Sequence, residues 1–590
     1  MKYILTILSL MTMTTAQPSL HYTLAMPRPW NHLFEVTTEI SGIQSKTIDL
    51  SMPAWRTGRY VIFDFSGAVQ EFTAHTPGGK KLAARKVDKD TWRIERGTEP
   101  TVIVTYNVYA NDFNQRTREL DGDHGFVDPS SVFMYINELK ARPLRVTVKP
   151  FGNWHVTTGL DEIPGETNTF AAPSFDYLID CPIEIGTQKD FEFSVEGKKH
   201  VISIFGEGNW NSDTLIADFT KIIKANNAFW GTLPYEKYIF MIQCQPNAGG
   251  GTEHLNSTVM GVRPFIFSNP ASYKNFLGLV SHEYFHTWNV KQLRPKAFAP
   301  YDLSREGYSE ELWISEGSTS YFDELLLIQA GLATGKNFTD QIPGMVSSDR
   351  SRYGNTIQPL SESSFDAWVK FWRDKENAFI AQSNYYGKGS HLSLLLDLEI
   401  RHRSKNASSL QSVMRKMFET YPPAKGFTNA DFIAMCERYA GGSLADFFAS
   451  YLYGTAPLPW EQNLLYAGLE LTQQDSSVKP NLGLLTRTSG ERIIVSTIIP
   501  GSPAEKARME INDEIIAVNG FKVRPSDFTD RIASFHAGDS VSITLFRNDK
   551  LKEVTAAVGL FGTPGYSLKK TEHPTELQKS IYESWLHDSL

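Results

Sequence analysis

The chain of 590 residues has only three cysteines, Cys181, Cys244 and Cys436. So small and odd a number builds no disulfide framework, and the spacing matches no cysteine-based zinc site. Buried free thiols are the reading that remains. An excess of positive charge is lacking too. The formal net charge is -8, which provides no basic surface for nucleic acid or an anionic membrane. After the first residues no apolar run approaches the length of a bilayer span, and there is no internal repeat or low-complexity tract. With 41% hydrophobic and 21% charged residues, the composition is that of globular protein, and the length suits several domains.

The N-terminus begins with Lys2, runs through a mostly apolar Tyr3 to Met13, and offers small residues at Thr14-Thr15-Ala16. This pattern predicts a signal peptide over 1–16, and with it a secreted or periplasmic protein. Residues 17–181 read as β-rich. Val102, Val104, Tyr106 and Val108 alternate with smaller or more polar residues, as do Leu144, Val146 and Val148. Residues 182–329 are mixed, with a buried strand at Ile239–Ile242 and helices over Tyr273–Trp288 and Ile314–Gln329. Residues 330–466 are helical. There Ser408 and Gln411 have the spacing of a capping box, and Thr428 opens a helix that Gly441-Gly442 ends. Residues 473–562 return to short strands, and 563–590 read as a tail with one short amphipathic piece. The fold class is therefore multidomain α+β.

The chemistry is carried by His282-Glu283-Tyr284-Phe285-His286. In a helix, positions i and i+4 share a face, so the two imidazoles can serve one ion. Zinc held there acidifies water, and Glu283 is placed to take the proton. Composition alone produces such a match about once in fifty chains of this length. Two ordinary core histidines are the plain alternative. The apolar Phe276, Leu277, Leu279 and Val280 nevertheless put the motif on a buried or half-buried helix. A third ligand is required. Glu316, at the start of the next long helix, is a candidate beside Glu306, Glu310 and Glu311, and spacing does not choose among them. Asp323, about two turns after Glu316, could support a ligand histidine.

Taken with Trp313-Ile314-Ser315-Glu316-Gly317, the motif resembles the gluzincin metallopeptidases. Over nearly the whole chain after residue 16, the sequence resembles the glycyl aminopeptidase family. The resemblance implies a β-rich N-terminal domain, a thermolysin-like zinc metallopeptidase domain, an α-helical domain and a C-terminal PDZ domain. It implies that Glu316 completes the zinc site with His282 and His286. Gly249-Gly250-Gly251-Thr252-Glu253-His254 is similar to the Gly-x-Met-Glu-Asn segment of related aminopeptidases, with Thr252 for Met and His254 for Asn. It implies that Glu253 holds the substrate's α-ammonium and that Gly250 and Gly251 line its backbone. Tyr385-Tyr386-Gly387-Lys388-Gly389 is similar to the Tyr-x-Lys-Gly stretch whose tyrosine stabilises the oxyanion, which points by position to Tyr386, with Tyr385 as an adjacent competitor. Pro53-Ala54-Trp55, Gly58 and Tyr60 match an N-terminal pattern of the family. Asn481-Leu482-Gly483-Leu484 and Asn512-Asp513 resemble a PDZ domain, with Asn512 where many relatives have Gly.

The expected function is a zinc-dependent aminopeptidase acting on small N-terminal residues. Glu283 is its general base and peptides are its substrates, and the PDZ domain could take a peptide C-terminus or another partner, hold substrate, or pack on the catalytic domain. The rivals are an endopeptidase on the same zinc site and a PDZ-based peptide-binding protein with an inactive protease domain.

Overall fold

A computed structural model describes residues 17–474 and 478–590; the expected signal peptide lies outside them. The N-terminal β-rich domain is built from three sheets. The largest has the order 161–162, 169–172, 144–149, 19–25, 33–41, 101–109, 69–75. The alternation read in the sequence is its pleat. Val102, Val104, Tyr106 and Val108 point into the core, and their neighbours are only partly covered. The four-stranded sheet extends the domain beyond 181. Strand Ile183–Gly186 pairs with both His155–Thr158 and His124–Val127, so the expected boundary after 181 falls inside a sheet. All four residues of this strand are buried, as are those of its partner His124–Val127, so its place is fixed by pairing that no local pattern announces.

The catalytic domain follows with a five-stranded sheet ordered 189–195, 198–205, 237–244, 257–262, 251–253. Strands Lys198–Phe205, Lys237–Cys244 and Ser257–Val262 run parallel. The edge strand Gly251–Glu253 is antiparallel to its neighbour, and its outer side faces the helices that carry the histidines and Glu316. The helical region centres on Gly387–Arg403, whose residues are buried almost throughout. One expected cap is displaced: Ser409 with Ser412, not Ser408 with Gln411, forms the capping box of the helix Leu410–Thr420. Thr428 and Gly441 bound the next helix as expected. All three cysteines are buried and unpaired.

The PDZ domain has its own apolar core, around Leu482, Val495, Ile515, Val518, Ile543 and Leu545. Asn512 has a φ of 71°, which explains why glycine suits that turn in relatives. Asp513 beside it is buried against Arg547. The domain leaves and rejoins the helical region through one ladder, Leu469–Gln474 paired antiparallel with Gly565–Lys570. Residues 563–590 are therefore more than a tail. Their helix Glu576–Leu586 buries Ile581, Tyr582, Trp585 and Leu586 in the main core, and Trp585 donates a hydrogen bond to the Tyr321 hydroxyl. Leu590 lies against Gly468, away from the PDZ domain's own core. Among the described residues no helix is long and apolar enough to cross a membrane.

Candidate active site

The helix Pro270–Phe285 starts where the Asn269 side chain accepts from the Ser272 N–H and Pro270 occupies the first turn. It buries Phe276, Leu277, Val280, Tyr284 and Phe285, which turns His282 and Glu283 toward the cleft. His286 caps its C-terminal end. The helix is thus shorter than the expected span to Trp288.

Each imidazole is oriented by its other nitrogen. His282 Nδ1 is 2.9 Å from Asp323 Oδ2, and His286 Nδ1 is 2.8 Å from the Asn289 carbonyl. Both partners only accept, so each Nδ1 carries the proton and each Nε2 presents a lone pair. The two Nε2 atoms are 3.1 Å apart, and Glu316 Oε2 stands 3.3 Å from that of His286 and 3.7 Å from that of His282. Three electron-pair donors facing one another at this range require a cation. Two nitrogens in a tetrahedral zinc shell are about 3.3 Å apart. The residues present therefore fit zinc. The electrostatics agree. Burial opposes charge on all three groups, yet Asp323 and then Glu316 raise the His282 pKa, Glu316 raises that of His286, and the two histidines lower that of Glu316 to about 2. Among the described residues these three form the one cluster able to hold a metal ion, and Glu306, Glu310 and Glu311 are not in it.

Glu316 stands in a π-turn, Trp313–Ser318, ahead of the α-helix Thr319–Gln329 that the sequence reading had extended over it. Such turns widen the helix and often mark functional positions. The turn is fastened by the Asn289 amide, which donates to the Ile314 carbonyl at 2.9 Å. Next to Glu316, a methyl group on Gly317 would meet Gly389 Cα at 2.6 Å. The Glu-Gly and Tyr-x-Lys-Gly stretches therefore meet glycine to glycine, and this close approach brings Tyr386 to the metal site. Tyr386 lines the cavity; Tyr385 is fully buried beside it.

Glu283 is 5% exposed, and burial, partly opposed by His282 and His286, lifts its pKa to about 7. A methyl on Gly251 would come within 2.5 Å of its Oε1, so glycine is what lets the edge strand pass. Glu253, two residues on, is 4% exposed and has a buried Oε1 with no hydrogen-bond partner among the described residues. The two departures in this segment are both answered by the N-terminal domain. Thr252 accepts a hydrogen bond from Arg56 at 2.5 Å, and Arg56 pairs with Asp128 at 2.7 Å. His254 lies 3.3 Å from Asp180, which also pairs with Lys291 at 2.8 Å.

A cavity of about 560 Å³ joins these groups. Its remaining walls were not found by sequence reasoning: Arg59, Arg116, Phe371 and Trp372. Only the pattern containing Gly58 hinted at them. Trp55 donates to the Asp302 carbonyl, and Tyr60 stacks on Phe298, which sets Gly58 against Glu253.

Three family models match the chain: the M61 peptidase N-terminal domain over residues 21–187, M61 glycyl aminopeptidase over 275–392, and a PDZ domain over 469–558. Among solved structures, an aminopeptidase N family protein from Idiomarina loihiensis is 29% identical with a TM-score of 0.88, the match covering 96% of this chain and 100% of that one. An M1 zinc metallopeptidase from Deinococcus radiodurans is 13% identical with a TM-score of 0.47, covering 75% and 94%. No curated protein matches.

Proposed function

The chain is matched by the M61 N-terminal and M61 glycyl aminopeptidase models, and from that premise we propose that it is a zinc aminopeptidase of this family that releases small N-terminal residues, chiefly glycine and alanine, from peptides. The observation that supports an exopeptidase most is Glu253, a buried carboxylate that among the described residues has no ion-pair partner and whose Oε1 has no hydrogen-bond partner, in the same cavity as His282, His286 and Glu316. An unpaired buried carboxylate is costly, and a substrate ammonium is the partner that relieves it.

In this reading His282, His286 and Glu316 hold zinc. When bound, zinc supplies Lewis acidity, which acidifies water and polarises the peptide carbonyl. The chain's own residues do the rest. Glu253 fixes the α-ammonium and so counts one residue to the bond that breaks. Glu283, with its carboxyl near neutrality, takes one proton from the attacking water as the new C–O bond forms. It returns that proton to the amine nitrogen as the C–N bond breaks. The Tyr386 hydroxyl donates to the carbonyl oxygen while negative charge gathers there. Gly251 keeps Glu283 close to the edge strand, along which the substrate backbone can pair.

The PDZ domain adds a second peptide-binding surface. Its strand Leu484–Ser489 lies at a sheet edge, open to strand addition by a peptide C-terminus. The apolar stretch after Lys2 supports export to a periplasm or the cell exterior.

The test is Glu283→Gln. The variant should retain one equivalent of zinc and lose about 10²–10⁴-fold in kcat on alanine amides. Near wild-type turnover would contradict the assignment.

A further inference from the structure

Two guanidinium groups line the catalytic cavity and take no part in the mechanism above. Among the described residues, no carboxylate lies within 4 Å of the side chain of Arg59 or Arg116. The Arg59 guanidinium lies 3.4 Å over the ring of Trp372, and its Nε is buried without a hydrogen-bond partner. Arg116 donates only to neutral oxygens, the Gly251 carbonyl at 3.1 Å and Gln115 Oε1 at 3.4 Å. Each group has five donors, so most remain available. Burial, then Arg116, pulls the Arg59 pKa down to about 10; burial, then Arg56, lowers that of Arg116. Among the described residues neither guanidinium is in a direct ion pair, although Glu283 and Glu253 act on Arg116 from across the cavity.

The edge strand gives the direction. Glu253 marks the end where the ammonium is held. Gly251, two residues back and about 7 Å away, faces Glu283. Arg116 reaches the strand at the Gly251 carbonyl and lies 3.6 Å from where a methyl on Gly250 would be. In order along the strand stand the ammonium site, the base that serves the breaking bond, and Arg116. A peptide lying along this strand with its first residue at Glu253 continues past Glu283 toward Arg116. Arg116 is near enough to Arg59 to oppose its charge, and Tyr386 acts on both.

We propose that Arg59 and Arg116 form a subsite for a peptide carboxylate just beyond the scissile bond, so that the preferred substrates are short peptides with both ends free, or peptides with an acidic residue early on the leaving side. This deepens, and rests on, the aminopeptidase reading. Arginine suits the role because its planar fork meets a carboxylate with two parallel hydrogen bonds. The stack on Trp372 holds the Arg59 fork in place before substrate arrives.

The test compares kcat/KM of the zinc-loaded enzyme on Ala-Ala, Ala-Ala-Ala and Ala-Ala-Ala-Ala, each as free acid and as C-terminal amide. A second pair is Ala-Asp-amide and Ala-Asn-amide. Wild type should favour the charged member of at least one pair by about tenfold or more, from the strength of charge-assisted hydrogen bonds. In Arg116→Gln and in Arg59→Gln that ratio should collapse toward one. Being taken within one protein, it is blind to a general loss of activity. Preference among the acid–amide pairs assigns the carboxylate to the peptide terminus; preference in the Asp–Asn pair assigns it to a side chain. Ratios near one throughout in wild type, or a ratio unchanged in both variants, overturn the subsite while leaving the aminopeptidase intact. Should no peptide be cleaved, the aminopeptidase reading fails separately, and calorimetric binding of the same acid–amide pairs to Glu283→Gln still decides the subsite.

Discussion

At Gly58 the backbone has a φ of 85°, and a methyl there would stand 2.4 Å from Glu253 Oε1. Both facts require glycine. Gly58→Ala should therefore displace the Glu253 carboxylate and raise KM for free amino-terminal amides by about tenfold or more. The metal ligands lie elsewhere, so zinc content should be unchanged. An unaltered KM would show that Glu253 does not need the space Gly58 leaves. What could be read at this scale from sequence was what is local. His282, Glu283 and His286 share one helix, and their spacing alone puts them on one face. Gly58, Arg59, Arg116 and Trp372 come from loops of another domain or region, and no periodicity links them to residue 282. Asp323 is an intermediate case. Its position after Glu316 suggested a supporting role, but only the 2.9 Å contact with His282 Nδ1 separates it from an ordinary solvated acid.

Among the elements, the N-terminal strands were legible because alternation is a local property, and the helix after Thr428 was legible through its cap, whereas the cap expected at Ser408 lies one residue on, at Ser409. Boundaries failed where burial is decided by a distant partner. Strand Ile183–Gly186 is fixed by pairing with 124–127 and 155–158, and the helix Glu576–Leu586 by packing on Gly387–Arg403. The four-stranded sheet also carries a pH dependence. His124 is wholly buried between Glu119 and Glu184, stacked on Phe205, with Phe113 beside it. Burial pulls its pKa down, but Glu184 and Glu119 outweigh burial and hold it at about 9 against an ordinary 6.5. A histidine whose folded pKa is raised stabilises fully below its unfolded pKa and loses that contribution as pH rises through the folded one. Thermal midpoints should accordingly fall between pH 6.5 and about 9, and His124→Gln should remove the fall. Parallel curves for the two proteins would contradict the ion pairing.

Over the whole molecule, one continuous core runs from Leu20 to Leu586, whereas the PDZ domain has a core of its own. The PDZ domain is in effect an insertion between the paired residues Gln474 and Gly565. Replacing residues 475–564 with a short Gly-Ser loop should leave a folded, zinc-loaded protein active on short amides. Loss of folding or of activity would mean the PDZ domain completes the catalytic unit. The N-terminal domain is joined differently. The Asp180–His254 pair and the Arg56–Thr252 hydrogen bond fasten it to the edge strand of the candidate site, and the Asp180–Lys291 pair fastens it to the segment after His286, so the domain that sequence left without a role borders the cavity. In the proposed function this cleft recognises a free amino terminus at Glu253 and cleaves one residue in. The most direct measurement is the rate on alanine p-nitroanilide beside its N-acetyl form, with and without a chelator. Release should be chelator-sensitive from the free amide and absent from the acetylated one; comparable release from both would rule out recognition of the amino terminus and make the protein an endopeptidase on the same metal site.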